Sequence, residues 1–125
     1  MSFCTAINCM DGRVQDPVNV FLRKRFATTY VDVVSEAGPV RALASQPDSH
    51  TAHSIFRRVE VSIEAHRSKG LAVVAHHDCA GNPVPREEQI EQLRSCLQLL
   101  SRRYPNSEVI GIWVDEEWSV SEITL

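Results

Sequence analysis

Apolar positions along the chain fall into two patterns, short runs and recurrences every three or four residues, and the two alternate. Residues 3–8 read as a strand that leads into the loop Cys9-Met10-Asp11-Gly12-Arg13. A helix is expected next, with Asp16 as N-cap, Pro17 as its first residue and Val18, Phe21, Leu22 and Phe26 at helical spacing. Residues 30–34 are rich in β-branched side chains and form the second expected strand, which ends at the turn Ser35-Glu36-Ala37-Gly38-Pro39. Residues 41–49 are polar and weakly patterned. A long helix follows from about 50 to 67, with Ile55, Val59 and Ile63 on one face and Gly70 as its break. Residues 71–75 are almost continuously apolar, as befits a central strand covered on both faces, and deliver the chain into His76-His77-Asp78-Cys79-Ala80-Gly81-Asn82-Pro83. A further helix opens at Pro85, Glu87 and Glu88, buries Ile90, Leu93, Leu97 and Leu100, and stops at Pro105. Residues 108–114 give a fourth strand, and residues 118–123 pair with it as an edge.

Strands that alternate with helices imply right-handed βαβ units, hence a doubly wound, mostly parallel α/β sheet. No linker or repeat divides the chain, so residues 1–125 are expected to form one domain. Binding sites in such sheets lie beyond the carboxyl ends of strands, where the winding reverses. The loops after the first and third strands are therefore the candidates.

Composition narrows the partners. A net charge of -3 and a pI near 5.9 supply no positive field for a nucleic acid. No apolar run reaches the roughly 20 residues of a membrane span. No basic segment followed by an apolar stretch opens the chain, so a cytoplasmic location is expected. In that reducing compartment Cys4, Cys9, Cys79 and Cys96 are more suited to metal, chemistry or core than to disulfides.

The two candidate loops contain Cys9 and His76-x-x-Cys79, two thiolates and an imidazole from strand ends that the sheet can place side by side. Structural zinc sites usually use four protein ligands, whereas catalytic ones use three and keep a position for water; Cys₂His is a known catalytic set. Such a set has a formal charge near zero with zinc, so it acidifies water less than three neutral imidazoles and needs help from neighbouring groups. Asp11 can accept a hydrogen bond from zinc-bound hydroxide and orient it, while Arg13 holds Asp11 through a charge-assisted pair. Were that pair to break, Asp11 is close enough in sequence to Cys9 to take the fourth position itself.

Cys4 and Cys96 read as core thiols. His77 neighbours a ligand and could relay protons, though a plain loop histidine is the simpler reading. His50, His53 and His66 read as solvated helix residues, and Trp113 and Trp118 as apolar cover for the final hairpin.

Cys9-x-Asp11-x-Arg13 followed by His76-x-x-Cys79 resembles the signature of the β-class carbonic anhydrases. Ser35-Glu36-Ala37-Gly38 sits where that family has an Arg-Asn-Ala-Gly loop, and Gly111-Ile112-Trp113-Val114 resembles its last core strand. The resemblance implies strand order 2-1-3-4, zinc on Cys9, His76 and Cys79, and a homodimer or larger assembly with sites near the subunit interface. It also implies hydration of carbon dioxide to bicarbonate by zinc hydroxide, and a closed form in which Asp11 binds zinc. Two alternatives share the metal site: hydrolysis of carbon disulfide or carbonyl sulfide, and a non-catalytic zinc module with Asp11 as permanent fourth ligand.

Overall fold

The computed structural model describes residues 1–124. The expected single domain of residues 1–125 thus includes Leu125, which lies outside the described residues. In chain order the elements are β1 (Phe3–Cys9), a single 3-10 turn (Gly12–Val14), α1 (Gln15–Arg25), β2 (Tyr30–Glu36), α2 (Pro39–Ser45), α3 (His50–His66), β3 (Gly70–His76), α4 (Arg86–Arg103), β4 (Glu108–Val114) and β5 (Val120–Ile123). The sheet runs β2-β1-β3-β4-β5. Its first four strands are parallel, and β5 returns antiparallel on β4. The expected order and the edge strand are both present.

Every residue of β3 is buried, which is why its sequence lacks alternation. The sheet separates two apolar layers. Ile7, Leu71 and Val73 face α2, α3 and α4 through Val40, Leu43, Ile55, Val59, Leu93 and Leu97. Ala6, Val74 and Ile112 face the 3-10 turn and α1 through Val14, Val18 and Leu22. Burying each leucine or isoleucine contributes about 1.5–3 kcal/mol, so these layers fix the strand ends from which the site is built. Among the described residues no helix is long and apolar enough to cross a membrane.

Four details differ from expectation. Helix α2 runs from the expected turn at Pro39 into the weakly patterned residues 41–49; its short length hides its period and leaves Val40 and Leu43, three residues apart, as its buried trace. Helix α1 starts at Gln15, not at Pro17, because Asp11 caps the preceding 3-10 turn by accepting from the Arg13 amide; Pro17 then falls within the first turn, where no amide partner is lost. Helix α3 ends at His66 with Arg67 in a left-handed cap, and Gly70 instead begins β3. The edge strand begins at Val120, two residues later than expected, because residues 115–119 form the turn.

Candidate metal centre

Strands β1 and β3 are neighbours, and the chain leaves β1 toward β2 but leaves β3 toward β4. Winding reverses between them, and their carboxyl ends carry Cys9 and His76, with Cys79 in the loop beyond. The Cys9 and Cys79 sulfurs are 3.8 Å apart. One donor atom from each of Cys9, His76 and Cys79 falls within a mutual 4.8 Å, and all three residues are buried.

The protonation states fit a metal ion. His76 Nδ1 lies 2.7 Å from the His77 carbonyl oxygen. A carbonyl only accepts, so Nδ1 carries the proton and Nε2 keeps a bare lone pair. That Nε2 is buried and has no hydrogen-bond partner. An orphaned acceptor beside two thiols is costly unless a cation uses it. A hydrogen bond from Cys79 pulls the Cys9 thiol well below its ordinary pKa, and the same bond with its thiolate partner pushes Cys79 up. The pair therefore retains one proton until a positive charge drives it off. Backbone amides of Gly38 and Asp11 favour the Cys9 thiolate, and those of Gly81 and Asn82 the Cys79 thiolate. Burial opposes a charge on His76, but the negative charge of the nearby Cys9 thiolate and the bond to the His77 carbonyl outweigh this and raise its pKa.

Asp11 stands beside this cluster with both oxygens engaged by Arg13. Oδ1 accepts from Arg13 Nε at 3.0 Å and from its backbone amide at 2.9 Å, while Oδ2 accepts from Nη2 at 2.7 Å. These bonds hold the carboxyl down to about 2, with burial opposing, so Asp11 is a carboxylate at any working pH. Arg13 reaches further, to the Oδ2 and backbone carbonyl of Asp78 at 3.3 and 3.2 Å.

Two glutamines anchor the loops, and the sequence reading passed over both. Gln15 Nε2 donates to the carbonyls of Cys9 and Asp11 at 2.8 and 2.7 Å. Gln89 Nε2 donates to the carbonyls of His76 and Val84 at 2.9 and 3.3 Å. Gln89 left a sequence trace, a polar residue one turn before Leu93 on the apolar stripe of α4; Gln15 left none. Glu36 is tied away from the cluster by Arg58 at 3.0 Å. His77 sits edge-on to Trp118 and donates its backbone amide to Val114. His66 is exposed at the end of α3, as expected, and there contacts Asp32 at 2.6 Å and stacks on Phe3. Cys4 and Cys96 are core thiols, as expected, and burial pushes Cys96 up to about 12. Trp113 is buried beneath Arg86, whereas Trp118 lies against the guanidinium of Arg13.

The loops after β2 and β3 meet main chain to main chain. A Cβ on Gly38, whose φ is +57°, would stand 2.6 Å from the carbonyl group of Gly81. Gly38→Ala is expected to cost about 2–4 kcal/mol through left-handed strain and overpacking, and to weaken metal binding with it. Urea unfolding with metal titration checks this; a loss below about 0.5 kcal/mol would show that the loops can part.

These features define an α/β protein with a buried cluster of three donors, able to hold a metal ion, at the switch point of its sheet. Over residues 1–124 the sequence matches the family model described as "Putative carbonic anhydrase", and the chain belongs to that family. No curated protein sequence matches it. Among solved structures it resembles a β-carbonic anhydrase of Sordaria macrospora, described as tetrameric, with TM-score 0.63 and 12% identity over 98% of this chain and 80% of that one. A carbonic anhydrase from Glaciozyma antarctica gives TM-score 0.63 and 15% identity over 97% and 81%. The β-carbonic anhydrase CafA of Aspergillus fumigatus gives 0.56 and 13% over 96% and 74%. At these identities the likeness is one of fold.

Proposed function

We propose that this chain is a zinc-dependent carbonic anhydrase that interconverts carbon dioxide and bicarbonate, with residues 1–125 acting as one domain. The observation that carries the reading is the buried, unpartnered Nε2 of His76 beside the Cys9 and Cys79 thiols, a donor set of three inside a chain of this family. Held by these three atoms, zinc supplies the acidity that makes water a nucleophile near neutral pH.

The chain's own groups do the rest. The Gly38 and Gly81 amides offset the thiolate charge, and Gln89 fixes the main chain that carries His76. Asp11 would accept a hydrogen bond from the attacking water or hydroxide and so orient its lone pair toward the carbon of carbon dioxide. Arg13 keeps Asp11 ionised and facing that position without occupying it. The two-oxygen grip of Arg13 on Asp11 favours this reading over a site closed by a permanent aspartate ligand.

Zinc content measured together with stopped-flow hydration of carbon dioxide, and hydrolysis of carbon disulfide, across pH 6.5 to 9 tests the proposal. About one zinc per chain with rapid hydration is expected. Absence of zinc, or hydrolysis of carbon disulfide alone, would overturn it.

The chain is also proposed to act as a homodimer or larger homo-oligomer. Tyr30 and Val33 on the edge strand β2 and Val61 on α3 are exposed apolar groups that a second copy would cover. Light scattering is expected to give at least a dimer, and a strict monomer at high concentration would contradict it. Four unpaired cysteines suit a reducing compartment such as the cytoplasm.

A further inference from the structure

Four residues other than glycine have left-handed backbone among those described: Ala27 (φ 53°), Arg67 (φ 52°), Asp78 (φ 58°) and Trp118 (φ 61°). Ala27 and Arg67 follow the ends of α1 and α3, where such a residue commonly closes a helix. Asp78 and Trp118 lie in separate loops after β3 and β4, and both converge on Arg13. Asp78 offers its carboxylate and carbonyl to the two terminal nitrogens. Trp118 lays its ring against the guanidinium, whose carbon is 4.5 Å from the ring centroid.

A bulky residue avoids positive φ, and backbone held there despite its side chain gathers at functional sites. Here the turn enforces it. Asp115 Oδ1 accepts from the amides of Glu117 and Ser119, both at 2.9 Å, and the Trp118 amide donates to the Asp115 carbonyl at 3.0 Å. Apolar cover for the hairpin would not require this conformation. A ring presented to a cation uses it directly, since the face of an indole attracts a guanidinium. With the ring in place, Arg13 has its edge on Asp11, both terminal nitrogens on Asp78 and a face closed by an aromatic plane.

We propose that Trp118 is a positioning residue whose ring, fixed by the turn that runs from Asp115 to Ser119, holds Arg13 in register with both carboxylate oxygens of Asp11, so that Asp11 serves the Cys9, His76 and Cys79 centre without turning onto it. The role assigned to Asp11 rests on the carbonic anhydrase reading; the hold on Arg13 does not.

Trp118→Gly removes the ring and at the same time relieves the backbone, because glycine adopts positive φ freely. It also gives up the contact of Trp118 with the apolar layer on the α1 side of the sheet, so the melting midpoint is recorded beside each readout and recovery in Trp118→Phe separates positioning from unfolding. Trp118→Phe keeps an aromatic face on the same turn. The first measurement is the Arg13 Nε–H resonance in metal-free and zinc-loaded protein. In Trp118→Gly it should lose its ring-current shift and exchange with water at least about tenfold faster, and Trp118→Phe should restore most of the protection. The second is hydration, where kcat should fall about tenfold in Trp118→Gly with KM and zinc content unchanged, and recover in Trp118→Phe. Unchanged Nε–H exchange in Trp118→Gly, or a loss that Trp118→Phe does not recover, would overturn the proposal. If the wild type fails to hydrate carbon dioxide while the Nε–H result holds, the enzymatic reading has failed and the hold of Trp118 on Arg13 stands.

Discussion

Asp11→Asn should reduce carbon dioxide hydration by roughly 100 to 1,000-fold while leaving about one zinc per chain, the loss typical of removing one preorganised contact at the reacting atoms. The substitution keeps the size of the side chain and leaves Cys9, His76 and Cys79 untouched. It removes the charge that Arg13 grips through Nε and Nη2. An amide can still accept one hydrogen bond, but it has a donor where a carboxylate has only acceptors, so it no longer imposes one orientation on the attacking group. Because the wild-type carboxyl is held down to about 2, against an ordinary 3.8, Asp11 is fully ionised over any assay range and the defect should be present at every pH from 6.5 to 9. Steady-state kinetics with metal analysis on one preparation provides the check. Should zinc leave together with activity, Asp11 is a ligand; should activity stay, another group orients the nucleophile.

Removing the metal should have the largest effect on stability. The three donors come from the ends of β1 and β3 and the loop beyond β3, so an ion held between them binds the folded chain and not the unfolded one. With free zinc at about 1,000 times its dissociation constant, mass action adds about 4 kcal/mol, which in a chain of this size raises the melting midpoint by on the order of 10–20 °C. Chelation of the wild type should reverse that shift, and His76→Ala or Cys79→Ser should abolish the response to added zinc. Identical melting with and without chelator would deny the site any metal under the conditions used.

Much of this was written in the local sequence. The all-apolar run of β3 announces a central strand because both of its faces are covered, and burial on two sides leaves no alternation to misread. The candidate cluster was legible because Cys9 and His76 end their strands and Cys79 follows in the next loop, where an apolar pattern stops and reactive residues begin. Other features depend on contacts distant in sequence. Helix α2 has seven residues, too few to show a period, and its place is set by packing on α4 and β3. Gln15 and Gln89 act through amide bonds to carbonyls, and any glutamine looks alike until the fold brings those carbonyls near. Trp118 reads as hairpin cover from its neighbours; only the left-handed turn turns its ring toward Arg13.

The bare contact between Gly38 and Gly81 also limits how the site can be re-engineered. Strands β2 and β3 flank β1, and the loops that follow them meet backbone to backbone at Gly38 and Gly81, with the side chains of Ala37 and Asn82 alongside. Neither glycine has a side chain that could be trimmed, and any side chain added at either would meet backbone at 2.6 Å, so the separation of the two loops there is set by peptide thickness. Substitution at those two glycines would accordingly push the loops apart without tuning the centre, and a longer loop after β3 would be the change to make.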